Sequence, residues 1–173
     1  MPLDSATVRA GFEHGAHSFL AAVQAVPSDQ WDRHGALGDW TLRELVLHLV
    51  ARDKVRLEEF DRMLGGTHAS WIGITSEHMD AINEWHLGEL RHLGWEDARR
   101  RLDTMREALL GALHAEQGLA HGVESALLGA LHAVPAEPAE VWSPEHPFGR
   151  IMHALVAHDR HHAAQVKQLR LQG

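Results

Sequence analysis

Wherever this chain carries many apolar residues it carries them three and four apart, and strict alternation is absent. That spacing lays one apolar stripe along an α-helix and gives a β-strand no inward face. Val8, Phe12, Phe19, Leu20 and Val23 predict a first helix over 4–26, ended by Pro27. Leu42, Leu45, Val46, Leu49, Leu57, Phe60 and Leu64 predict a second, opened by Thr41 and stopped at Gly65-Gly66. Glu44, three residues after Thr41, completes a capping box there. A third helical region spans 75–117, with Gly94 marking a kink or a short break, and 118–131 is ambiguous between loop and short helix. Pro135, Pro138, Pro144 and Pro147 make the stretch 133–147 a long loop, and a last helix covers 148–171. Four long amphipathic helices with connections of unequal length predict an all-α four-helix bundle. At 173 residues, 45% of them apolar, the chain suits a single domain over 1–173 with a full core.

Into the apolar stripe of the last helix the sequence sets two imidazoles. His158 and His162 stand one turn apart on the face shared by Ile151, Leu155, Val166 and Leu169. Among the 16 histidines this is the one pair spaced four apart, so chance spacing alone is a poor account of it. Two readings compete: a pair of core histidines satisfied by hydrogen bonds, and two ligands for one divalent metal. The second is favoured, because two unpaired imidazoles in a core cost a few kcal/mol, on the order of 2–7.

Other candidate residues are weaker. His48 falls on the flank of the second helix's stripe and reads on periodicity alone as a helix-edge histidine. Asp53 sits on the apolar face of that helix, as an acid supporting a site, a salt-bridge partner, or a sign that the face meets a polar cleft. Asp80 and Asn83 lie about one turn apart at the start of the third region, lining a site or serving as ordinary first-turn polar residues.

Composition closes several routes. A net charge of −8 argues against nucleic acid or anionic membrane as a partner, and Arg99-Arg100-Arg101 reads as a solvated helix face. There is no cysteine, hence no thiolate nucleophile, disulfide or cysteine zinc site within the chain. The polar start and the lack of an 18-residue apolar run lead to the expectation of a soluble, cytoplasmic protein.

The run Gly38-Asp39-Trp40-Thr41-Leu42-Arg43-Glu44-Leu45-Val46-Leu47-His48-Leu49 resembles the second-helix signature of the DinB-like (DinB/YfiT) superfamily, a Trp-Thr cap followed by a single histidine. His158-Asp159-x-x-His162-x-x-Gln165-Val166 is similar to that superfamily's closing motif, and Asp80-x-x-Asn83 to a polar pair opening its third helix. The resemblance spans nearly the whole chain. It implies a four-helix bundle of up-down-down-up order, commonly a homodimer, with one divalent metal, often nickel or zinc, on His48, His158 and His162. His161 departs from the pattern as an extra histidine off the pair's face, and the proline-rich segment is longer than the pattern leads one to expect.

Three imidazoles leave a coordination position open, as catalytic sites do. Because characterised relatives use low-molecular-weight thiols such as mycothiol, bacillithiol or glutathione, the resemblance implies a thiol S-transferase acting in detoxification or stress response on a small-molecule substrate. Asp53, Asp80, Asn83 and Asp159 are then the candidates for orienting ligands or touching substrate. A hydrolase of amides, esters or lactones through metal-bound hydroxide, and a metal-binding stress protein without turnover, are the alternatives.

Overall fold

The computed structural model describes residues 5–33, 39–64, 76–130 and 147–172. Five α-helices carry them, with no strand among the described residues: α1 Ser5–Gln24, α2 Leu42–Leu64, α3 Ser76–Leu90, α4 Trp95–Ala130 and α5 Pro147–Gln172, plus a short 3₁₀ turn at Ser28–Gln30. The expected third region is two helices, because residues 91–94 leave the helix altogether instead of kinking it. The ambiguous stretch after Gln117 is a continuation of α4 as far as Ala130. The proline-rich stretch and the Gly65-Gly66 stop lie outside the described residues, except that Pro147 opens α5. No described helix is long and apolar enough to cross a membrane.

Local chemistry fixes where α2 begins. The Thr41 amide donates to Glu44 Oε2 at 2.9 Å and the Glu44 amide donates to Thr41 Oγ1 at 3.1 Å, the reciprocal bonds of a capping box. Glu44 also receives Arg91 Nε at 2.9 Å, which clamps the turn between α3 and α4 onto this cap. Arg43 Nη1 adds bonds to the carbonyls of Arg91 and Leu93, both at 3.1 Å. Nearby, the Trp31 indole stacks on Trp95 with centroids 4.1 Å apart, and its Nε1 donates to the Val26 carbonyl. Connector, cap and turn are thereby one rigid corner.

Packing pairs α1 with α5 and α2 with α4, with α3 against α2 and α1 touching α4. The core they enclose contains Phe19, Val23, Leu45, Leu49, Leu87, Leu102 and Val166, all at 2% exposure or less. Two glycines set the α1–α5 spacing. A Cβ on Gly11 would stand 2.8 Å from Val156 Cγ1, and one on Gly15 would stand 3.2 Å from the Asp159 Cβ. Only glycine lets the helices approach this closely, and the approach presses α1 against the part of α5 that carries His158 and Asp159.

Candidate metal centre

α2 and α5 bring three histidines together. Nε2 of His158 lies 3.3 Å from Nε2 of His48 and 3.3 Å from Nε2 of His162. His48 and His162 are buried at 4% and 8% exposure, while the side chain of His158 is 21% exposed and forms the solvent side of the group. These are the three residues that sequence spacing and family pattern singled out, and they form a group able to hold a metal ion. The flank position of His48 misleads because a helical wheel measures direction from one straight axis, whereas this residue faces a seam between helices.

The geometry suits a divalent ion. Two imidazole nitrogens bound at about 2.0–2.1 Å to a tetrahedral zinc stand roughly 3.3–3.4 Å apart, which matches the spacing here. Electrostatics point the same way. Burial and then the charges of His158 and His162 push the His48 imidazole down to about 2. His158 is pushed down by burial and then by Arg56, and His162 by burial. All three rings are therefore neutral near pH 7, with lone pairs free for a metal. Nδ1 of His162 donates to Gln165 Oε1 at 2.6 Å, which assigns the proton to Nδ1 and leaves Nε2 as the free donor atom. Trp40 walls the group on one side, its ring 4.9 Å from that of His48 and its Nε1 donating to Glu84 Oε1.

Behind the histidines lies a buried charged network that sequence reading found only in part. Asp53 and Asp159 are both fully buried. Asp53 Oδ1 accepts from Arg56 Nη1 at 2.8 Å, so of its expected roles the salt-bridge partner is the one seen. Asp159 Oδ2 accepts from Arg106 Nη2 at 2.5 Å, and Arg106 Nε lies 3.9 Å from Asp53 Oδ2. Arg106 also stands over the Phe19 ring, 5.3 Å from its centroid. Burial drives the Asp53 carboxyl up to about 6 against the pull of Arg56. The arginines escaped notice because an arginine on a helix flank ordinarily reads as solvated. A signal did exist: Arg52 and Arg56 follow His48 at four and eight residues, continuing its side of α2.

Other candidates stand apart. Asp80 is exposed and Asn83 half-buried on α3, and Asp80 is not part of the histidine group. His161 is exposed, its ring packed edge-on to that of His162, and stays outside the group. Of the basic run, Arg100 and Arg101 are exposed as expected, with Arg100 paired to Asp97, whereas Arg99 is half-buried.

Fold and site together define an all-α protein with an internal three-histidine group able to take a divalent ion. The chain belongs to the DinB superfamily, a metal-binding family, whose family model matches residues 12–166. No curated protein and no solved structure matches it.

Proposed function

We propose that this protein binds one divalent metal ion, zinc or nickel, through Nε2 of His48, His158 and His162, and is an enzyme that uses a low-molecular-weight thiol in an S-transfer reaction. The observation that carries the metal reading is the convergence of three neutral imidazoles, with Nε2 of His158 3.3 Å from Nε2 of both His48 and His162 and all three ligand atoms within 4.8 Å of one another. A divalent ion held by these three histidines would supply Lewis acidity, which would favour the ionised form of a thiol near neutral pH. The chain itself has no cysteine, so the thiol comes from solution as mycothiol, bacillithiol or glutathione.

The remaining steps fall to the chain's own side chains. Gln165 holds the His162 ring and its tautomer. Trp40 excludes water from one side of His48. His158, the most exposed of the three, marks the side from which substrate arrives. Asp53 and Asp159 act from behind the rings through their arginine partners, without joining the donor set. The reading includes a four-helix arrangement of up-down-down-up order, closed by the proline-rich segment before α5, and a homodimer in the cytoplasm.

Elemental analysis of protein purified without nickel resin tests the metal. About one ion per chain is expected in the wild type, and its loss in each of His48→Ala, His158→Ala and His162→Ala. A wild type that stays metal-free and cannot be loaded with zinc, nickel or manganese ends the reading. Thiol use is tested next on the loaded protein, where a bound thiol raises the melting temperature. Chelator-sensitive hydrolysis of chromogenic esters or amides, without a thiol effect, would instead establish a hydrolase. Tight metal binding with neither response would establish a protein that binds metal without turnover.

A further inference from the structure

Arg56 is buried to 1% exposure in the middle of the protein, and half of its fork is unused. Nη1 is bonded to Asp53, but Nη2 meets no acceptor. A buried guanidinium nitrogen without a partner is costly, so native structures that keep one have a use for it. Arg106 also has bare nitrogens, yet it bonds Asp159 and its Nε faces Asp53 Oδ2 at 3.9 Å. Among the described residues, Asp53 is the carboxylate paired with Arg56, and it is engaged through Nη1.

Its surroundings say what kind of group is missing. Arg56 connects through Asp53, Arg106 and Asp159 to His158, so guanidinium and histidines belong to one continuous buried cluster. Arg56 is also the leading charge acting on His158, and its field reaches His48 and His162. In the network itself the cations Arg56 and Arg106 are balanced by the anions Asp53 and Asp159. A divalent ion on the histidines would add two positive charges to the same enclosed space, and buried charge must be compensated. An anion supplies that compensation and the missing acceptor together.

We propose that the ligand of this site is a carboxylate-bearing anion, held by Nη2 of Arg56 beside the histidine group. Arg56 is then the residue that selects charged over neutral ligands. A guanidinium suits a carboxylate because its planar N–H groups match the two oxygens. This inference rests on the metal reading only for the second positive centre. The arginine and its bare nitrogen stand without it.

The experiment titrates acetate, propionate and butyrate, and the uncharged amides of the same acids, into metal-loaded protein whose metal content has been measured. The carboxylates are expected to bind at least about tenfold more tightly than the amides. Arg56→Gln should weaken the carboxylates about tenfold or more and leave the amides and the metal content unchanged, with Arg56→Lys in between. Equal affinity for acid and amide, or an Arg56→Gln protein of full metal content that binds carboxylate as well as the wild type, overturns the proposal while sparing the metal site. If Arg56→Gln fails to fold, the acid–amide comparison is made on metal-depleted wild type, where the guanidinium and not a bound metal must supply any preference for the acid, and equal affinity there overturns the proposal. Protein that takes no metal is titrated as it is, with melting temperature as readout. A rise with carboxylate but not with amide then keeps the anion site while the metal reading falls, and the absence of any rise removes both.

Discussion

α2 serves two interiors that obey different rules. Its first half presents Leu42, Leu45, Val46 and Leu49 to a core of aliphatic and aromatic side chains. Its second half presents Arg52, Asp53, Arg56 and Glu59 to neighbours that are themselves charged, at comparable burial. His48 lies within the first half, yet it faces the charged side. In the apolar half any side chain of suitable volume contributes, since burial is non-directional. In the charged half each group depends on a particular partner, and removing one leaves the other worse off than if both were gone. The difference teaches that the second interior is not needed to hold the helices together, because an apolar one would hold them as well.

The largest effect should come from breaking a charged pair. Asp159→Ala leaves Arg106 buried without its carboxylate and should cost about 3–5 kcal/mol in denaturant unfolding. Replacing both partners, Asp159→Leu with Arg106→Met, should recover most of that loss. A double variant as unstable as the single one would break the contrast between the halves. In the apolar half, Leu102→Ala should cost about 2–4 kcal/mol through a cavity, with no partner able to restore it.

A smaller effect is expected at the α1–α5 contact. The methyl of Gly11→Ala meets Val156, and overpacking of about 1–3 kcal/mol outweighs the roughly 1 kcal/mol gained in helix propensity. A thermal melt that rises with this substitution would show the contact to be looser than described.

The smallest effects carry opposite signs with pH. Glu44 is pushed up by burial but pulled further down by the Thr41 amide and Arg91, ending below its ordinary 4.5. Its contribution to stability is therefore full above that value and lost as pH falls through the lowered one. Asp53 is raised from 3.8 to about 6 by burial, so the folded protein favours its protonated form. Its contribution is greatest at acidic pH and is lost as pH rises from about 4 to about 6. Melting curves of Glu44→Gln and Asp53→Asn against wild type across this range should diverge in opposite senses. Parallel curves would mean that the two carboxyls share one environment.

Much of this was legible in the residues, for reasons that can be named. The capping box was legible because both partners lie within four residues. The His158–His162 pair was legible because one helical turn fixes its geometry. His48 needed the family pattern, since its place at a seam depends on how two helices meet. Arg106 was not legible, because its carboxylate, Asp159, is brought from another helix, whereas Arg56 had a local signal in its spacing from His48 and from Asp53 that an ordinary solvated flank would also show. The length of α4 stayed open for a milder reason: spacing over 118–131 suits a loop or a short helix alike, and the structure continues the helix to Ala130.

The pairing of α1 with α5 has a consequence for how the molecule is made. α1 leaves the ribosome first among these helices, yet its main partner is the last to emerge. Until then α1 lacks the helix it packs against most, and a contact between segments so distant in sequence is slow to form. Two of the three histidines ride on that same late helix. The three-histidine group is thus complete only at the end of synthesis, and a nascent chain stalled before α5 offers His48 alone of the three.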